Sequence, residues 1–167
     1  MQMALGASAM SNSIEEIARN ECILLTGSNT TETHPIIAVA MKAAVRNNGA
    51  KLIVADPRRI QMVDFATIWL QQRPGTDVAL FNAMANVILE EGLHDEDFIR
   101  EKTESFEEFA GSVRQYTPEH AEGITGVPAA AIREAALLYG RARRAAIYWT
   151  LGITEHTHGT DNALTLA

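Results

Sequence analysis

Apolar positions follow two regimes along this chain: short unbroken runs, and longer stretches in which they recur every third or fourth residue. The first regime predicts strands buried on both faces and the second predicts helices with one apolar side. Cys22-Ile23-Leu24-Leu25-Thr26, ending at Gly27, reads as a strand, and so does Leu52-Ile53-Val54-Ala55, closed by Asp56-Pro57. Thr67-Ile68-Trp69-Leu70 and Ala145-Ala146-Ile147-Tyr148-Trp149-Thr150 supply a third and a fourth. Ser11 to Asn20 predicts a short helix, with Ser11 or Ser13 as its cap, Glu15 and Glu16 at its start, and Ile14, Ile17 and Ala18 as its apolar stripe. A polar loop, Gly27 to Thr33, precedes a helix from about Pro35 to Asn47, with Pro in its first turn and Gly49 as its stop. Asp77 is expected to cap a long amphipathic helix carrying Leu80, Phe81, Met84, Val87, Ile88 and Leu89 on one side and ending at Gly92. From Asp95 to Tyr139 the pattern is helical in short pieces, broken near Thr103, Pro118 and Gly126. Gly152 is expected to open another polar loop. Thr160-Asp161 then starts a helical pattern that reaches Ala167 without a stop, which predicts a piece of a larger protein.

Strand, helix and strand within about 35 residues make one right-handed βαβ unit. The expected fold is therefore α/β: three layers around a mostly parallel sheet of the dinucleotide-binding (Rossmann-like) type, with a helical insertion before the last strand. Residues 1–167 read as a single domain, and 47% hydrophobic content is enough for a sizeable core. That content excludes disorder, and a lone Cys22 excludes a disulfide scaffold. No apolar run reaches the roughly 18 residues of a membrane-spanning helix, and no basic residue precedes the small apolar stretch at the start, so no secretory signal is read. The net charge is −7, from 14 Lys and Arg against 21 Asp and Glu, which argues against nucleic acid or an anionic membrane as the partner. A small anionic ligand stays open, because local field and backbone N–H groups decide its binding.

In a parallel sheet ligands bind beyond the carboxyl ends of the strands. Four segments fall there: Gly27 to His34, Asp56 to Arg59, Gln71 to Asp77, and Gly152 to His158. Gly27 lets backbone approach a phosphate, and Asp56 sits where a carboxylate accepts from ribose hydroxyls. Arg58, Arg59 and Arg73 suit a pyrophosphate, while Asp77 suits the two N–H groups of a guanine edge. Each segment also has a plainer reading: GSNTTETH is not GxGxxG, Asp before Pro is turn chemistry, and Asp77 caps a helix. His156 and His158 beside Glu155 invite a metal, but no third ligand is visible, and two histidines in a polar loop is the better account. His34 reads as a first-turn residue or a ligand donor, and His94 and His120 as surface residues. Cys22 in an apolar strand reads as an inert core thiol, and Met41, Met62 and Met84 as core.

GASAMSNSIEEI, LLTGSNTTETHPI, VADPRR, QRPGTDVALFNAMANVILEEGL and WTLGITEHTHGTDN resemble the alpha subunit of formate dehydrogenase, in the molybdopterin oxidoreductase family, over essentially the whole chain. The resemblance implies a domain that holds molybdopterin guanine dinucleotide, with molybdenum or tungsten, in a larger subunit. It matches Gly27, Ser28 and Asn29 to a cofactor-contacting loop and Asp56, Pro57 and Arg58 to the ribose and phosphate segment. It matches Pro74, Gly75 and Asp77 to the guanine-reading segment, and Gly152 to Glu155, Thr154 included, to a loop reaching the pterin side. The family's metal-ligating Cys or selenocysteine and its 4Fe-4S cysteines are expected upstream, and its substrate-orienting Arg downstream, so no catalytic residue and no metal ligand is expected within this stretch. The implied activity of the whole protein is two-electron oxidation of formate to carbon dioxide. The implied partners are the remaining domains of the same subunit and electron-transfer subunits, in the cytoplasm, with neither nucleic acid nor membrane. A nitrate reductase or other pterin oxidoreductase, or a stand-alone nucleotide-binding or protein-interaction module, are the alternatives.

Overall fold

The computed structural model describes Gly6 and residues 10–167. Its centre is a four-stranded sheet in the order β3-β2-β1-β4, with β1 Cys22–Thr26, β2 Lys51–Ala55, β3 Ile68–Leu70 and β4 Ala145–Trp149. All three pairings are parallel, and Cys22 stands level with both Lys51 and Ala145. This is the order of the first four strands of a doubly wound sheet. The chain steps outward from β1 to β3 and then returns to the far side of β1, which leaves a topological switch point between β1 and β4.

Side chains alternate across the sheet and build a core on each face. Ile23, Leu25, Leu52 and Val54 meet Ala38, Met41 and Ala44 of α2, Pro35–Asn48, together with Ile17. Cys22, Leu24, Ile53, Ala55 and Leu70 turn the other way, onto α3, Asp77–Glu90, and α7, Ala129–Gly140. Because both faces are covered, every residue of β1 is buried, which is why its sequence is a continuous apolar run. Between α3 and α7 the insertion forms α4, Glu96–Lys102, α5, Phe106–Val113, and α6, Pro118–Thr125. Its breaks fall as expected, at Thr103, at Pro118 as the first residue of α6, and at Gly126, whose φ of 76° ends that helix.

Several boundaries differ from the expectation. Ile14–Arg19 is a 3₁₀ helix, entered through Ser13, whose backbone N–H donates to the Glu16 carboxylate at 2.7 Å. Ile17 is fully buried, while Ile14, one turn earlier at the start of the helix, is 43% exposed. The loop after β1 contains one helical turn, α1, Thr30–Thr33. The segment after β4 is no polar loop: it forms α8, Leu151–Thr154, and then α9, Gly159–Leu166. Ile153 fully buried in the core draws that turn inward. Asp77 is not the cap of α3 but its first residue, because Thr76 takes the cap position. No described helix is long and apolar enough to cross a membrane.

Candidate functional site

Parallel pairing brings the carboxyl ends of all four strands to one edge. Gly27-Ser28-Asn29, Asp56-Pro57-Arg58, Pro74-Gly75-Asp77 and Gly152–Glu155 therefore share a rim, in the order set by the strands: Asp77, Asp56, Gly27, Gly152. With neighbouring strands about 4.8 Å apart, the three steps from β3 to β4 span about 14 Å.

Backbone contacts tie these loops together. Gly27 N–H donates to Ala55 O at 3.3 Å, and Asp56 N–H to Leu70 O at 3.2 Å. Gly152 N–H and Thr150 Oγ1 both donate to Gly27 O, at 3.0 and 2.9 Å. The approach is so close that a Cβ on Gly152 would stand 2.5 Å from Gly27 O, and one on Gly27, where φ is 53°, would stand 2.7 Å from Gly152 C. Only glycine fits at either position. The two loops flanking the switch point are thus one rigid unit.

Asp56 is 2% exposed and accepts the Arg58 backbone N–H at 2.8 Å, while its own C=O accepts Trp69 Nε1–H at 2.9 Å. The Asp-Pro turn is therefore real, and the carboxylate still has one oxygen without a hydrogen bond among the described residues. Arg58 is exposed with Nε 3.6 Å from Asp56, and Arg59 pairs with Asp64 at 2.6 Å. Arg73, expected at a pyrophosphate, points elsewhere: Nη1 donates to Gly123 O and Ile124 O, both at 3.1 Å, at the carboxyl end of α6. Cations are drawn there by the free carbonyls and the helix dipole.

The loop after β3 is a tight turn, closed by Thr76 N–H on Arg73 O at 3.3 Å, with Pro74 and Gly75 (φ 79°) at its centre, the residue order of a type II turn. It delivers Asp77, 4% exposed, to the first turn of α3, where Gln72 Nε2 donates to Asp77 Oδ1 at 3.1 Å. Asp77 Oδ2 makes no hydrogen bond among the described residues and is not shut away from solvent. His158 lies across from Gly75, its Cε1 3.7 Å from where a Cβ would stand, so the segment after β4 reaches the loop after β3.

Of the remaining expected residues, Ser28 is buried and shares a hydrogen bond with Thr30 Oγ1 at 2.9 Å, while Thr154 and Glu155 are exposed at the end of α8. His156 and His158 lie 5.6 Å apart between ring centres, and His156 Nε2 is 2.9 Å from Gly152 O. No group of three His, Cys, Asp or Glu side chains converges among the described residues. Burial pushes the Cys22 thiol from its ordinary 9 to about 11, which keeps it protonated and unreactive near neutral pH. Beside the switch point a cavity of about 380 Å³ opens between β4 and α2, with Tyr148, Thr150, Ser28 and His34 on its wall.

Sequence reasoning missed Gln72, Thr150 and Asn162. Gln72 carries a signal, since it continues the inward parity of Ile68 and Leu70. Asn162, fully buried on α9, donates Nδ2–H to Ile153 O at 3.0 Å, and nothing local marks it as buried.

A model of the molybdopterin oxidoreductase family matches residues 2–167. The chain belongs to the molybdopterin oxidoreductase family. Within it, the chain is 48% identical to the F420-dependent formate dehydrogenase subunit alpha of Methanocaldococcus jannaschii, over 96% of its own length and 24% of that protein's. It is 42% identical to formate dehydrogenase H of Escherichia coli, over 99% of this chain and 23% of the other. A nitrate reductase of Symbiobacterium thermophilum is 41% identical over 90% of this chain and 22% of its own length. Among solved structures, acetylene hydratase from Pelobacter acetylenicus is similar with a TM-score of 0.83 and 34% identity, over 88% of this chain and 20% of that one. The chain thus spans about a quarter of the length of the curated relatives it matches.

Proposed function

We propose that this member of the family binds molybdopterin guanine dinucleotide along the carboxyl rim of its sheet, within a formate dehydrogenase catalytic subunit. The carrying observation is the order of the rim. Asp77 with Pro74 and Gly75 lies at one end, for the guanine. Asp56, Pro57 and Arg58 follow for ribose and phosphate, then Gly27, Ser28 and Asn29, and last Gly152, Thr154 and Glu155 toward the pterin. That order, over about 14 Å, is the order of the parts of an extended nucleotide-bearing ligand. The donor chemistry fits as well. Asp77 and Asp56 each hold a nearly buried carboxylate with an oxygen left unbonded among the described residues, suited to N–H and hydroxyl donors.

When bound, the cofactor's molybdenum or tungsten supplies the two-electron exchange with formate. The residues of this chain bind and orient. Asp77 accepts from the base and Asp56 from the sugar. Arg58, exposed beside Asp56, faces phosphate, and the locked Gly27–Gly152 pair keeps the two loops flanking the switch point from moving apart. The relatives support this division of labour: proteins named for formate, nitrate and acetylene share this region, so it serves what they have in common. Formate is favoured over nitrate by the greater identity to the formate dehydrogenases.

Asp77→Ala and Asp56→Ala in the full-length protein test the reading. Metal analysis and pterin fluorescence of the purified variants are expected to show cofactor content reduced to less than half. Full occupancy in both variants overturns the rim assignment, and reduction of nitrate without turnover of formate overturns the substrate.

A further inference from the structure

Gln72 serves a single partner. It lies two residues beyond Leu70, on the sheet face that turns Ile68 and Leu70 into the larger core, and is 2% exposed. Its Nε2 donates to Asp77 Oδ1 at 3.1 Å, while its Oε1 is buried with no partner among the described residues. An amide at that depth leaves its own acceptor unmet, whereas leucine or methionine of similar volume would instead leave Asp77 Oδ1 without a partner. The only hydrogen bond its side chain makes among the described residues ends on the carboxylate assigned to the base.

We infer that Gln72 is a positioning residue that sets the selectivity of Asp77 for a ring edge carrying two adjacent N–H donors. The inference rests on the base reading proposed above. Asp77 is the first residue of α3, one past the cap, where a carboxylate is favoured by the helix dipole. Asp77 accepts no backbone N–H among the described residues, and no basic side chain pairs with it, Arg73 being committed to α6. The neutral amide holds Oδ1 and leaves Oδ2 without a hydrogen bond among the described residues and open to solvent. An ionised carboxylate only accepts, so the amide must present its NH₂ side, and the unmet Oε1 is the consequence. Gln72 itself is too deeply buried to touch a ligand.

The test is an NMR titration of the labelled chain with GDP and with IDP, which lacks the 2-amino group, alongside thermal unfolding. The unmodified chain is expected to bind GDP at least about tenfold more tightly than IDP. In Gln72→Leu that ratio is expected to fall below about threefold, with the fold retained and Tm lowered, because Asp77 Oδ1 loses its only partner among the described residues. Gln72→Met repeats the measurement if the leucine variant does not fold. A GDP preference that survives in the folded variant overturns the role of Gln72 and leaves the base reading standing. Equal affinity for the two nucleotides, or no binding of either, in the unmodified chain overturns the base reading and the inference with it.

Discussion

The residues that matter most at the rim are those with the least room. Gly27 and Gly152 bring two backbones within hydrogen-bond distance, 3.0 Å from Gly152 N to Gly27 O. A methyl group at residue 152 would stand 2.5 Å from that carbonyl oxygen, and the three atoms nearest it all belong to the Gly27 backbone, which cannot yield as a side chain would. Gly152→Ala is therefore expected to destabilise the chain by about 2 kcal/mol or more, read from urea unfolding. Gly75→Ala meets nothing closer than 3.7 Å and is strained only by its φ of 79°, so it should cost about 1 kcal/mol. Both glycines are visible in the sequence, but their ranking is not. It depends on a neighbour more than 120 residues away, and no local pattern encodes it.

At the scale of elements, the insertion is more than a spacer. Its last part, α6, is held against the site loop by Arg73, whose guanidinium donates to the carbonyls of Gly123 and Ile124. The backbone continues the link, Arg73 N–H donating to Thr125 O at 2.8 Å. Arg73→Ala leaves those carbonyls to solvent and is expected to lower stability by about 1 kcal/mol. Hydrogen exchange should show faster opening at the end of α6 and in the turn at Pro74-Gly75, with the strands unaffected. Strands and long helices were legible from periodicity alone, because burial on both faces of a parallel sheet forces unbroken apolar runs. The helical turn Leu151–Thr154 was not. Four residues with one apolar anchor, Ile153, carry no period, and only packing onto the core selects the helical form.

At the scale of the whole molecule, charge and strand pairing are both unevenly distributed. The stretch from Glu90 to Glu108 holds nine acidic residues against two basic ones and so accounts for the whole net charge of −7. This stretch begins at the far end of α3, about 20 Å from the rim at 1.5 Å per residue, so the acidic excess starts well away from the rim. β4 pairs on one side only, and each of its residues is half-buried, whereas β1 is buried throughout and paired on both sides. Amide exchange is accordingly expected to be slowest in β1 and β2 and distinctly faster in β4, and equal protection across all four strands would contradict this.

Which segments become strands and which become helices, and that the chemistry-bearing loops follow the strands, the amino-acid order determined by itself, because period and burial are local consequences of covering both sheet faces. The family likeness of its motifs was equally plain there. What each side chain on the rim is free to do was decided only by the folded molecule. Arg73 faces a helix end instead of the rim, Gln72 lies beneath Asp77, and Gly27 meets Gly152, all through contacts between segments far apart or aligned only once the sheet has closed. Such contacts arise from strand order and crossover geometry, and neither leaves a repeating mark on the sequence.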